Sequence, residues 1–217
     1  MRSDITDSAA HELSAAIHAR ALSCRELMQA TLARIAAVNP LHNAIVSLRD
    51  EADLLREADA RDAQLAAGES LGWLHGIPMA IKDIAATAGL RTTMGSPLLR
   101  DNVPKSDGLM VERLKAAGCI VIGKTNTPEF GLGSHTFNEV FGVTRNAFDP
   151  GKSAGGSSGG AAVALALRMA ALADGSDTMG SLRNPAGWNN VYGLRPSQGR
   201  VPMWPAADAW EIGRAHV

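Results

Sequence analysis

The chain has few cysteines and few aromatic residues, and each shortage excludes a class of protein. Only two of its 217 residues are cysteines, Cys24 and Cys119. They lie far apart without the spacing of metal ligands, so neither a disulfide framework nor a zinc site is expected. Aromatic residues make up 4% of the chain, which argues against a stacking surface for single-stranded nucleic acid. Nothing in this composition implies a metal or an organic cofactor.

Neither sign of charge is in excess. The sequence has 21 basic and 22 acidic residues, for a formal net charge of −1, so no nucleic-acid partner is expected. Residues 1–12 are polar and acidic and lack the basic-then-apolar pattern of a signal segment. The longest apolar-rich run, residues 161–173, is interrupted by Arg168 and is too short to span a bilayer. These features predict a soluble, cytoplasmic protein with no membrane partner.

Helical and strand-like patterns alternate along the chain. Apolar residues make up 46% of the sequence, enough for a buried core. Predicted helices occupy two segments of residues 8–38, then 50–67, 107–117, about 159–169 and a segment after residue 181. The second helix should begin at a capping box of Ser23 and Glu26 and end at Asn39-Pro40. Strands are predicted at 44–48, 77–81, 120–122, 170–173 and 191–194. This alternation predicts an α/β fold with largely parallel strand pairing.

Two loops rich in glycine and serine are the main chemical signal in the sequence. The first reads AGGSSGG at residues 154–160, and the second reads GSDTMGSLR at residues 175–183. Glycine permits backbone conformations that other residues avoid and lets a substrate approach closely. A serine at the end of such a turn can have backbone N–H groups gathered around it, each stabilising an oxyanion by about 3–4 kcal/mol. The loops therefore indicate a serine nucleophile.

A serine nucleophile needs a base, and the histidines are poor candidates. Four of the six precede the loops in unrelated contexts, His216 lies near the chain end, and His135 has no obvious acidic residue to orient it. A lysine is the alternative, since Ser-Lys variants exist and burial can lower a lysine pKa. Lys82 follows the apolar strand predicted at 77–81, which is a suitable setting.

Six segments, taken in order, resemble the motifs of the amidase signature family. They are GIPMAIKD at 76–83, GKTN at 123–126, TRN at 144–146, the two Gly/Ser loops, and GLRPS with GRV at 193–201. The match covers about residues 10–203. It implies a mixed, mostly parallel sheet covered by helices on both faces, in a single domain of residues 1–210 that is incomplete at its C-terminus. It also implies hydrolysis of a small-molecule amide to an acid plus ammonia or an amine.

The resemblance also assigns roles to individual residues. Ser181 would be the nucleophile, Ser157 the bridging serine after a cis peptide bond, and Lys82 the base. The oxyanion hole would be formed by the N–H groups of Thr178, Met179, Gly180 and Ser181. The family usually has glycine at the position of Met179. A methionine there would be strained if the position required φ > 0, and otherwise its side chain would shape the pocket.

Other functions stay open at this stage. The family includes the glutaminase subunit of a tRNA-dependent amidotransferase, which works only with partner subunits. An inactive fragment is a further alternative, and a homodimer is one open assembly. Ser157 also fits the G-x-S-x-G elbow of α/β-hydrolases, but no strand pattern precedes its loop and no usable histidine follows.

The last seven residues differ in character from the rest. Residues 211–217 read EIGRAHV, which resembles the translation of a common sequencing-library adapter. We expect this segment to be a non-native tail and the natural gene to continue.

Overall fold

The structure is a computed structural model that describes residues 5–197, 199–201 and 204. The domain end expected at residue 210 and the tail expected at 211–217 lie outside these residues. None of the described helices is long and apolar enough to cross a membrane. The helices are α1 (Ala10–His18), α2 (Cys24–His42), α3 (Glu51–Ala66), α4 (Leu109–Ala116), α5 (Gly159–Ala166) and α6 (Arg183–Trp188). The strands are β1 (Ile45–Val46), β2 (Pro78–Lys82), β3 (Ile120–Thr125), β4 (Phe137–Asn138) and β5 (Gly142–Val143).

Helix α2 begins at the predicted capping box. The Ser23 hydroxyl accepts a hydrogen bond from the Glu26 N–H at 3.1 Å. The Glu26 carboxylate accepts in return from the Ser23 N–H at 2.9 Å. Two N–H groups that have no partner within the helix are thereby satisfied.

The predicted end of α2 at Asn39-Pro40 is wrong, because the helix continues through Pro40 to His42. Proline removes one N–H, and the carbonyl that loses this bond belongs to the exposed Ala36, where water can replace it. The helix ends at Asn43, whose backbone is left-handed and whose N–H donates to Asn39 O at 2.7 Å. The Asn39 side chain then donates to Ile45 O and accepts from the Ile45 N–H, which stabilises the turn into β1.

Helix α3 is rich in acidic and basic residues, which lie on its solvent side. Its N-cap is Asp50, which accepts hydrogen bonds from the N–H groups of Ala52 and Asp53. Leu54 and Ala58 are completely buried, and the helix packs against α2. The helix is therefore amphipathic, and its burial rather than its exposed ion pairs holds it in place.

Strand β3 lies at the centre of a three-stranded sheet, between β1 and β2. It pairs in parallel with β2 and antiparallel with β1. The fold is thus mixed α/β, as predicted. Lys82 pairs with Thr125 at the carboxyl end of the parallel pair. The core contains residues of this pair, the residue before β2, and residues from helix α2 and from the segment after α5: Ile81, Ile120, Ile122, Ile77, Met28 and Met169.

Two of the predicted strands are wrong. Residues 170–173 and 191–194 have no strand geometry. A strand needs a neighbour for its N–H and carbonyl groups, and residues 170–173 form no ladder with any strand of the described residues. At the second segment, the Val191 N–H donates to Ala186 O at 3.0 Å, which extends the turn that ends α6.

Candidate active site

Lys82 lies at the centre of a buried cluster of hydroxyl groups. It is completely buried, and its Nζ donates to Ser157 Oγ at 2.7 Å, Ser176 Oγ at 2.8 Å and Ser158 Oγ at 2.9 Å. Two of the three predicted triad members, Lys82 and Ser157, are therefore in direct contact. An ammonium has three donors, and three serine hydroxyls surround this one.

Strand β2 and the residue after it fix Lys82 through the backbone. The Lys82 N–H donates to Asp174 Oδ1 at 2.8 Å. The buried Asp83 accepts from the Thr93 hydroxyl at 2.6 Å, and its carbonyl accepts from the Met94 N–H. Burial raises the pKa of Asp83, against the hydrogen bonds from Thr93 and the charge of Lys124. Asp83 therefore has a structural role in the turn after β2.

The first Gly/Ser loop reaches Lys82 through very close backbone packing. The peptide bond between Gly156 and Ser157 is cis, as the family resemblance implies. A Cβ on Gly156 would lie 2.9 Å from the backbone N of His135, so only glycine fits there. Ser158 is the N-cap residue of α5, and its side chain contacts Lys82 instead of capping the helix.

The second Gly/Ser loop packs against the first through Ser158. The Ser158 N–H donates to Ser181 O at 2.9 Å, and the Ser176 N–H donates to Ser158 Oγ at 3.2 Å. Ser181 is half-buried and adjoins the hydroxyl cluster through these backbone contacts. The structure thus brings the three predicted triad residues into one region, with Ser181 linked to Lys82 by way of Ser158.

Asp177 holds the second loop in shape. Its buried carboxylate accepts from the Gly180 N–H at 2.7 Å and from Arg183 Nε at 2.8 Å. Burial acts to raise the pKa of Asp177, but the hydrogen bonds from Arg183 and from backbone N–H groups outweigh it and hold this pKa well below its usual range. The ion pair with Arg183 therefore has a structural role in this loop.

The four predicted oxyanion donors lie in this turn, and their role stays a prediction. The Gly180 N–H is committed to Asp177, and Gly180 has the left-handed φ of +105°. Met179 is not among the described residues with positive φ, so methionine is not strained there. Its side chain is 89% exposed. Thr178 is likewise exposed at the surface of the turn.

Sequence reasoning missed Asp174 and Ser176 as members of the site. Both contact Lys82, and they lie at the start of the second loop, five to seven residues before Ser181. The sequence identified this loop by its last serine. The polar residues Asp174 and Ser176 at its start were a further indication of a site. His135, the histidine considered as a possible base, contacts Ser153, with 2.7 Å between its Nδ1 and Ser153 Oγ.

A second buried lysine, Lys124, lies on the neighbouring strand. Its Nζ donates to Ala85 O at 2.6 Å and to Thr87 Oγ1 at 2.8 Å. Burial lowers the pKa of Lys124 to about 8, against the attraction of Asp83 and Asp174. No group of His, Cys, Asp or Glu in the described residues could hold a metal ion.

The lowered pKa of Lys124 predicts a pH dependence of stability. The folded protein releases this proton above a pKa of about 8, whereas the unfolded chain keeps it to 10.5. The unfolded state therefore binds more protons in this window, and the free energy of unfolding should rise with pH by about 3 kcal/mol. Denaturant titrations from pH 7 to 10.5 should show this rise relative to Lys124→Met.

The Lys124→Met variant supplies the control, because other titrating groups cancel in the difference. Burial raises the pKa of both Cys24 and Cys119 to about 12. These thiols weaken the fold at high pH equally in both proteins. A difference between the two proteins that does not change with pH would contradict the prediction.

Comparison with known proteins identifies the family. The profile of the Amidase family matches residues 26–216. The chain is 46% identical over 202 residues to the A subunit of glutamyl-tRNA(Gln) amidotransferase from Acidothermus cellulolyticus, covering 93% of this chain and 40% of that protein. It is 44% identical over 194 residues to an acylamidase of Rhodococcus erythropolis, covering 89% and 40%.

Solved structures agree with the sequence comparison. The chain superposes on a bacterial aryl acylamidase of the amidase signature enzymes family with a TM-score of 0.87 and 34% identity, covering 94% of this chain and 42% of that chain. The chain therefore belongs to the amidase signature family, and the resemblance drawn from its motifs is confirmed. It spans about 40% of the length of the curated relatives it matches.

Proposed function

We propose that the protein carrying this chain hydrolyses a small-molecule carboxylic amide to an acid plus ammonia or an amine. Ser181 is the nucleophile, Ser157 relays its proton, and Lys82 is the base. The observation that carries the proposal is the 2.7 Å contact between Lys82 Nζ and Ser157 Oγ in a buried cluster that adjoins Ser181. Membership of the Amidase family supports the reaction type.

The proposed proton path starts from the hydrogen bond between Lys82 and Ser157. In its neutral form Lys82 takes the proton of Ser157, and Ser157 takes that of Ser181 as the Ser181 oxygen attacks the amide carbonyl. The carbonyl carbon becomes tetrahedral and its oxygen negative. The proton then returns along the same path to the leaving nitrogen as the C–N bond breaks.

The acyl-enzyme is then hydrolysed by water through the same groups. Water gives its proton to the Ser157–Lys82 pair, attacks the ester carbon and releases the acid, and Ser181 regains its proton. The oxyanion in both steps is assigned to the N–H groups of Thr178, Met179 and Ser181 in the turn 178–181, because that of Gly180 already donates to Asp177. Because Asp177 binds that turn from within, the donors are held in place before substrate arrives, which lowers the reorganisation cost.

A second candidate is a glutaminase that works within a tRNA-dependent amidotransferase of several subunits. It is favoured by the 46% identity to an amidotransferase protein of this kind from Acidothermus cellulolyticus. The 44% identity to an acylamidase is nearly as high, so identity does not separate the two. Glutaminase activity that appears only with added partner subunits would identify the second candidate, whereas turnover of simple amides by the protein alone would identify the first.

Covalent labelling tests the assignment of the nucleophile. A fluorophosphonate probe added to the complete protein should modify Ser181, located by peptide mass spectrometry. Ser181→Ala should lose the label, and Lys82→Ala should label far more slowly because the base is gone. Ser134→Ala, which removes an exposed hydroxyl outside the cluster, serves as the matched control and should label normally.

Each other outcome has a distinct meaning. A label on Ser157 alone would overturn the assignment and revive the elbow arrangement of α/β-hydrolases. No label on folded protein would point to an inactive protein or to one that needs a partner.

A further inference from the structure

A cavity of about 330 Å³ lies apart from the Lys82 cluster, between helix α3, the end of α4, the loop at 87–90 and the start of β3. It shares no lining residue with the hydroxyl cluster. Its charged lining residues are Arg49, Glu57, Arg61 and Lys115, and its apolar ones include Leu90 and Val121. A volume of this size is at the lower end of small-ligand pockets, roughly 300–1,000 Å³.

The charges around this cavity do not cancel. Lys115 is neutralised by Asp107, with 2.8 Å between Nζ and Oδ1. Arg49 and Arg61 share one carboxylate, that of Glu57. Arg49 Nη1 takes the hydrogen bond to it at 2.9 Å, while Arg61 Nη2 stays 3.8 Å away, too far for a hydrogen bond. One positive charge is therefore in excess, and it lies on Arg61.

The guanidinium of Arg61 also has unused hydrogen-bonding capacity. Its Nη1 donates to the neutral Gln64 Oε1 at 3.0 Å. Its Nε is buried and has no acceptor among the residues that the structure describes. Because Nε has almost no accessible surface, an anion in the cavity would bind Nη2, which lies 3.8 Å from the Glu57 carboxylate.

Part of the cavity lining is apolar. Cys119 lines it and is almost completely buried. Burial raises the pKa of its thiol to about 12, which Lys115 and Arg61 lower and Glu57 raises by smaller amounts. The thiol is therefore neutral at physiological pH and presents a small apolar wall beside Leu90 and Val121.

We propose that this cavity binds a small organic monocarboxylate, with its carboxylate on Arg61 and its apolar body against Leu90 and Val121. A single excess positive charge matches a single negative charge. The planar fork of a guanidinium binds carboxylates and phosphates alike through two parallel hydrogen bonds, so the choice of a monocarboxylate depends on the single charge and on the apolar lining residues. The site is independent of the hydrolytic reaction, so its test does not depend on amidase activity.

Titration calorimetry with benzoate on the complete protein tests the site. Binding should be saturable with one equivalent at this cavity. Arg61→Gln should weaken it at least tenfold, while Arg56→Gln should leave it unchanged, because Arg56 is an exposed arginine on the same helix that pairs with Asp53. Benzyl alcohol, which lacks the charge, should not bind. Inorganic phosphate binding as tightly as benzoate would overturn the choice of a carboxylate, and equal affinity in Arg61→Gln would overturn the site.

A second measurement needs no variant and therefore does not depend on Arg61→Gln folding. Crystals of the unmodified protein grown with 4-iodobenzoate should show an anomalous iodine peak beside Leu90 and Val121. An iodine peak found only beside Lys82 and Ser157 would overturn the proposal, because the carboxylate would then be bound in the hydrolytic site.

Discussion

Replacing Lys82 by methionine is expected to lower kcat for amide hydrolysis by roughly 10²–10⁴-fold, the range for loss of a general base. Methionine keeps much of the buried volume of the lysine stem but removes the Nζ that contacts three serine hydroxyls. Ser157 then has no acceptor for the proton it takes from Ser181. KM should change much less than kcat, since the loss falls on proton transfer. Steady-state kinetics on a chromogenic anilide would measure both constants.

Lys152→Met is the matched control for this prediction. Lys152 is an exposed lysine five residues before Ser157, paired with Asp149, and its replacement should leave kcat within about twofold, as expected for a surface position. Circular dichroism must show that Lys82→Met is folded, because its three serine partners lose a hydrogen bond. A folded Lys82→Met enzyme with kcat within tenfold of the original would contradict the role of Lys82 as base.

The second large effect concerns stability, at Gly160. A Cβ there would lie 2.3 Å from Asn126 N, 2.6 Å from Ala44 O and 2.7 Å from Asn126 O. All three are backbone atoms, so no side chain can rotate away. Gly160→Ala must separate α5 from the end of β3, and we expect it to lower the free energy of unfolding by about 4 kcal/mol or more. Guanidinium titration followed by circular dichroism would measure the loss.

Gly187→Ala gives the contrast that isolates packing from the glycine change itself. Gly187 lies in helix α6, and an added Cβ would meet no atom within 4 Å. The change should be neutral or stabilise the fold by up to about 1 kcal/mol, because alanine favours the helix. If Gly160→Ala lay within 1 kcal/mol of Gly187→Ala, the close approach of α5 to β3 would be wrong.

Local signals in the sequence predicted the helices and the central strands well. The capping box of Ser23 and Glu26 and the burial of strand β2 depend on neighbouring residues, so their patterns are visible in the sequence. The end of α2 was mispredicted because water can compensate for Pro40 at an exposed position. The strands predicted at 170–173 and 191–194 failed because a strand requires a partner, which short apolar runs do not specify.

Only those residues of the candidate site that belong to a sequence motif were predictable. Lys82, Ser157 and Ser181 each belong to a motif. Asp174 and Ser176 contact Lys82 through packing between distant segments, and single-residue patterns do not encode such contacts. The absence of positive φ at Met179 was also invisible in the sequence, since it depends on how Asp177 shapes the turn.

The Lys82 cluster has a consequence for how the protein is made. Lys82 is separated from Ser157 by 75 residues and from Ser176 by 94. Protein synthesis adds about 5–20 residues per second, so Ser176 is synthesised roughly 5–20 seconds after Lys82. Strands β2 and β3 can pair long before that, because their first partners, Pro78 and Ile120, are closer in sequence. The Lys82 amine therefore stays in water during synthesis, and its loss of reactivity toward amine reagents would mark the moment when the second loop folds onto the first.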